Sequence, residues 1–188
     1  MVLGRSTMKA CLVYVVLISF RASFIQGKLG SPGGPQSLYY EAADVLKVFS
    51  TFEDIVAISD SDNDTILECL SARRTDFNSA DHTVTYVWIF PSTGEEVPFY
   101  AEVGDIPGTV AFTTPEDADK KEATIYYTDY TSCIVVDVEY HGHQCSLWTK
   151  REVKDAVPQD CIDHFVDTCG VIVPPHSRDL CPDGEGDY

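Results

Sequence analysis

Basic residues are scarce in this chain: 13 Lys and Arg stand against 30 Asp and Glu, a formal net charge of −17 at pH 7. A surface of that sign repels phosphate backbones, so nucleic acid is not an expected partner. Reactive motifs are missing too. There is no Gly-x-Ser-x-Gly elbow, no His-Glu-x-x-His pair and no phosphate loop, so no catalytic activity and no cofactor are expected. Long apolar runs are also absent. The longest, residues 10–20, is shorter than the roughly 20 residues a membrane span needs. The acidic run Asp60-Ser61-Asp62-Asn63-Asp64 lacks the rest of a calcium loop, because Thr65 stands at the glycine position and Ser71 at the glutamate position. No internal repeat is found.

The short apolar run follows Arg5 and Lys9, and this is the pattern of a secretory signal peptide. Residues 1–27 are assigned to it, with cleavage after Gly27 or, alternatively, after Ala22. Its removal lowers Lys plus Arg from 13 to 10 and leaves 30 acids, a net charge of −20. Residues 28–37 are a Gly/Pro/Ser linker, 38–181 a single domain and 182–188 an acidic tail. Six of the seven cysteines survive cleavage: Cys69, Cys133, Cys145, Cys161, Cys169 and Cys181. An even set in an oxidising compartment implies three disulfides, and spacing alone leaves all fifteen connectivities open. His141, His143 and Cys145 alternate as metal ligands on one strand would, but an oxidised cysteine is no ligand, and no metal is expected. Asn63-Asp64-Thr65 is the single glycosylation sequon and places a glycan on Asn63.

Residues 38–49 carry apolar side chains at helical spacing. Beyond Phe52 the period shortens. Strands are predicted at 53–59, 65–73, 82–90, 95–102, 107–113, 122–128, 130–139 and 144–150, divided by turn-rich segments. Eight short strands imply an all-β, antiparallel up-and-down barrel or a sandwich. Residues 157–169 return to helical spacing, with Pro158 in the first turn and Gly170 as the stop. The interior of an eight-stranded barrel can hold one small ligand, and strand aromatics such as Tyr86, Trp88, Tyr100 and Trp148 would supply apolar walls with polar tips.

The order helix, eight strands, helix is that of a lipocalin, and the cysteine-bearing part narrows it. Asp129-Tyr130 before Cys133, the strand Cys145-Ser146-Leu147-Trp148, and Pro158-x-x-Cys161-x-x-x-Phe165-x-x-x-Cys169 resemble tick salivary lipocalins of the histamine-binding type. So do Glu68-Cys69-Leu70-Ser71-Ala72 and the late Cys181. The resemblance implies the disulfides Cys133–Cys161 and Cys69–Cys181 and, with those made, Cys145–Cys169. It implies that Cys133 and Cys145 face an outer helix, which turns Ile134, Val136, Val138, Ser146 and Trp148 inward. The same parity applied to Cys69 turns Glu68 and Leu70 inward.

Amine-binding members resemble one another in an aspartate and a glutamate on these two strands, and here Ile134 and Ser146 stand in their places. Burying an ammonium without a carboxylate is costly. The resemblance therefore implies a secreted, non-catalytic protein that sequesters a small host mediator and serves evasion of host defence. The ligand is a biogenic amine by family, or a lipid or other apolar molecule by these two substitutions. The expected cavity residues are Glu68, Tyr86, Trp88, Tyr100, Ile134, Ser146 and Trp148. The alternative is a barrel whose exterior loops bind a host immune protein.

Overall fold

The computed structural model describes residues 41–61, 67 and 69–170. The signal segment, Glu68, Asn63 and Cys181 lie outside the described residues. Eight antiparallel strands form a closed barrel in chain order: β1 (Asp54–Asp60), β2 (Ser71–Asn78), β3 (Thr83–Ile89), β4 (Glu96–Val103), β5 (Thr109–Thr114), β6 (Asp117–Thr128), β7 (Cys133–Glu139) and β8 (His143–Lys150). Strand β8 pairs back onto β1, from Ile55 opposite Lys150 to Asp60 opposite Ser146, and this closes the sheet. Closure leaves no open sheet edge. Helix α1 (Val45–Thr51) precedes the barrel and helix α2 (Gln159–Cys169) follows it.

Three strands depart from the sequence expectation, and the shortest shift is in β7, which begins at Cys133 and not at residue 130. Strand β2 begins at Ser71 and runs to Asn78, against the expected 65–73, because it pairs with β3 as far as Asn78 opposite Thr83. Its turn residues Asp76 and Asn78 are drawn into the ladder. Strand β6 begins at Asp117, inside an expected divider, where Asp117 pairs with Thr114. In β2 and β6 a neighbouring strand overrides local turn preference. Cys69 precedes β2 in a turn with φ 61°, so strand parity does not reach back from β2 to orient it or its neighbours.

Burial follows the period of each element. On β3, Val84, Tyr86 and Trp88 are buried while their neighbours are half-buried. Strands β7 and β8 are buried on both faces over most of their length, which suits the apolar run Ile134-Val135-Val136 of β7, while β8 buries the polar side chains Gln144, Ser146 and Thr149 as well. Their inner faces join the barrel core. Their outer faces, through Val135 and Leu147, pack against Ile162 and Phe165 of α2. Gly170 ends α2 in the left-handed region at φ 72°, and its N–H bonds the Val166 carbonyl. Cys133 is joined to Cys161 and Cys145 to Cys169. Cys69 is also disulfide-bonded.

Helix α1 plugs one end of the barrel with Val45, Val48, Phe49 and, just beyond it, Phe52. It is shorter than the sequence pattern suggests because Asp44 caps it, taking the Lys47 N–H at 3.0 Å. The Asp129-Tyr130 pair holds this plug in place. One Asp129 carboxylate oxygen accepts the N–H groups of Thr131, Ser132 and Cys133 at 2.8, 2.7 and 3.1 Å. Tyr130, at φ 56°, then presents its hydroxyl to the Asp44 N–H at 2.9 Å, and Lys47 Nζ lies 4.0 Å from its ring centre.

Partial burial alone would raise the Asp129 pKa, but the three N–H donors outweigh it and hold the carboxyl below its usual value. A depressed carboxyl contributes stability that is fully present above the unfolded pKa near 3.9 and is lost as pH falls through the folded value. Asp129→Ala is therefore expected to cost about 1.5–3 kcal/mol at pH 7. The gap between variant and parent should narrow below about pH 4, as measured by urea unfolding at several pH values.

Candidate ligand-binding cavity

The barrel interior is largely filled by aromatic rings. Trp88 stacks on Phe99 with centroids 4.6 Å apart, and Phe99 stacks on Phe112 at 4.5 Å. Tyr140 meets Trp88 edge-on at 5.1 Å, and Trp148 lies 6.5 Å from Trp88. What remains is a space of about 90 Å³ between the rings of Tyr86, Trp88, Phe99 and Trp148 and small or aliphatic side chains, among them Ala72, Ala123, Ile125 and Val136. At roughly 30 Å³ per molecule this equals about three waters, well under the usual volume of a drug-sized site.

Tyr86, Trp88, Ile134 and Trp148 line this space. Ser146 is fully buried beside it, and its oxygen takes the indole N–H of Trp148 at 2.9 Å. The Ser146 hydroxyl itself points to the Val136 carbonyl at 3.4 Å. Tyr100 is a correction: it is 49% exposed and faces outward. It stands between the buried Phe99 and Ala101, and adjacent residues on a strand cannot share a face. Glu68 falls outside the described residues. The small and aliphatic lining residues of β2, β5 and β6 went unnoticed in the sequence. Alternation on each strand was the signal that could have found them.

The polar atoms near the space are already used. Tyr86 donates its hydroxyl to the Phe52 carbonyl at 2.7 Å. Burial pushes its pKa well above the usual tyrosine value, with Arg74 opposing and Glu53 adding, so it stays a neutral donor. Arg74 itself reaches the Phe49 carbonyl and pairs with Glu53. No carboxylate lines the cavity among the described residues.

The histidines belong elsewhere. His141 is exposed at the β7–β8 turn. Nδ1 of His143 lies 2.7 Å from Asp137 Oδ2 on the outside of the barrel. Burial raises the Asp137 pKa, and His143 works against that rise. Cys145 is bonded to Cys169, so the alternating His-His-Cys set is not a metal trio.

A closed up-and-down barrel of eight strands, plugged at one end and strapped to an outer helix, is the lipocalin architecture, that of a ligand-binding protein. Residues 104–174, from β5 through α2, match the family model for tick histamine binding protein. Together with the barrel, this match fits a tick lipocalin of the histamine-binding type. A search of the curated proteins found no match. No helix among the described residues is long and apolar enough to cross a membrane.

Proposed function

We propose that this chain is a secreted, non-catalytic binding protein that takes up a compact apolar ligand, or the apolar part of one, inside its barrel and so sequesters a host mediator. The observation that carries this reading is the cavity wall: an apolar space of about 90 Å³ with no described carboxylate. A buried ammonium there would lose its water without gaining a counter-charge. Tyr86, Trp88, Ile134 and Trp148 form the wall, and Ser146 orients Trp148. Secretion follows from the signal-like residues 1–27. The remaining bridge, Cys69–Cys181, and a glycan on Asn63 complete the proposal, and peptide mapping of protein secreted from eukaryotic cells tests both.

The reading is tested by native mass spectrometry before and after addition of histamine, serotonin and a plasma lipid extract. An apolar adduct of one per chain is expected, with no histamine or serotonin adduct. Ala123→Leu, which adds three carbons at the wall, should abolish the apolar adduct while leaving the fold intact. A stoichiometric histamine adduct would overturn the assignment of the cavity. A second reading, an exterior surface that engages a host immune protein, is favoured by the Trp88–Phe99–Phe112 stack that fills most of the barrel. Absence of any adduct would shift the weight to it.

A further inference from the structure

Every strand of the barrel lends at least one side chain to the wall of the inner space, and among the described residues one wall residue comes from outside the sheet: Val48 of α1. The strands alternate in direction, so the turns after β2, β4 and β6 lie at the α1 end and those after β3, β5 and β7 at the opposite end. That opposite end is shut by rings the barrel itself carries. Trp88 and Phe99 face the space, and against them stand the buried rings of Tyr140 and Phe112, neither of which lines it. At the α1 end the closure is a separate piece of chain, a helix of seven residues.

The two ends of α1 are held differently. Its C-terminal end is fixed to strands. Arg74 of β2 donates to the Phe49 carbonyl, one of the last four carbonyls of a helix, which find no partner within it. Tyr86 of β3 donates to the Phe52 carbonyl at 2.7 Å, and Glu53 leads straight into β1. The N-terminal end rests on turns. The Asp44 N–H donates to the Tyr130 hydroxyl at 2.9 Å, and Lys47 Nζ lies over the Tyr130 ring. Ala42 and Ala43 lie against Gly108 of the β4–β5 turn. Val48 thus sits between an end tied to the sheet and an end held by turns. A swing of the helix about Phe52 carries Val48 off the chamber and breaks no strand pairing.

We propose that Val48 sets the size of ligand the chamber takes, and that the ligand enters at the α1 end, by a swing of α1 about Phe52 with the Asp44–Tyr130 contact as its latch. This rests on the reading of the barrel as a ligand chamber and adds its size-setting residue and its entrance. Closed, α1 buries Val45, Val48 and Phe49, and keeping them from water makes the open state a minor one. Ligand passes only while the helix is open, so association and dissociation both scale with the open population. Loosening the latch therefore raises both rates alike and leaves the affinity where it was. Changing Val48 instead alters which ligand fits.

The test uses the mature chain and the straight-chain alcohols from 1-butanol to 1-octanol. Intrinsic fluorescence reads their binding, because both tryptophans of the chain line the chamber. In the parent one chain length should bind best. Val48→Ala should move that optimum up by about two carbons, the number it removes, and Val48→Ile should move it down by about one. In stopped-flow traces with the best alcohol, Tyr130→Phe keeps the ring and loses the latch. It should raise the association and dissociation rates together by about fivefold, the scale of one hydrogen bond, with the Kd unchanged. Phe112→Leu, at the opposite end, should leave both rates as they are. If neither Val48 variant moves the optimum, or if Phe112→Leu speeds exchange and Tyr130→Phe does not, this inference falls while the chamber stands. If no alcohol binds, the chamber reading fails and takes this one with it.

Discussion

Replacing Cys133 and Cys161 together by alanine lowers the unfolding free energy by about 3–4 kcal/mol, and replacing Cys145 with Cys169 does nearly the same. The bridges close loops with sequence separations of 28 and 24, and the chain-entropy model depends only weakly on that difference. For a domain of this size, each loss should lower the melting temperature by roughly 7–14 °C, measured by calorimetry. Both bridges serve one purpose. Strands β7 and β8 bury Val135 and Leu147 under α2, and an undocked helix would leave those side chains in water. With both pairs removed the loss approaches the whole stability of an ordinary domain, about 5–15 kcal/mol, and α2 should detach. A shift below about 3 °C for either single pair, under one kcal/mol, would mean that apolar contact alone holds the helix.

Trp88→Ala should be the most damaging single substitution in the barrel, at about 3–5 kcal/mol. Trp88 is 3% exposed and touches Phe99, Tyr140 and Trp148. Its removal opens a void continuous with the existing space, and the rings around it lose their partner together. The same substitution should enlarge the range of ligands. Added indole should raise the melting temperature of Trp88→Ala while leaving the parent unchanged, because a ligand bound at a hundred times its Kd stabilises by about 2.7 kcal/mol. If indole stabilises neither protein, the void has collapsed and the rings have repacked.

The two edges of the site differed in how far they could be read in advance. Ile134 and Trp148 sit on strands whose cysteines face a helix, and alternation then assigns a side to each neighbour. Tyr100 shows the limit of that reasoning. Phe99 and Tyr100 are both aromatic and adjacent, only one of them can face inward, and composition does not say which. The pairing of Tyr100 with Thr113 and of Ala101 with Phe112 settles it, with Phe112 inside and Tyr100 outside. Tyr140 shows a second limit. In the sequence it belongs to a polar turn, Tyr140-His141-Gly142-His143. Its burial arises because the barrel brings Trp88, far away in the chain, to within a ring's width of it.

What the chain determines locally is its list of elements: eight short strands, a helix before the barrel and a helix after it, and Gly170 as the left-handed stop of α2. Those properties depend on residues a few positions apart, and side-chain periodicity reports them directly. The ends of β2 and β6, the outward turn of Tyr100, the cavity volume and the spent hydroxyls of Tyr86 and Ser146 were decided by tertiary structure. Each depends on partners that closure of the barrel brings together. The cavity is moreover a small remainder, about 90 Å³, left between large packed volumes, and one aromatic ring turned in or out creates or removes it.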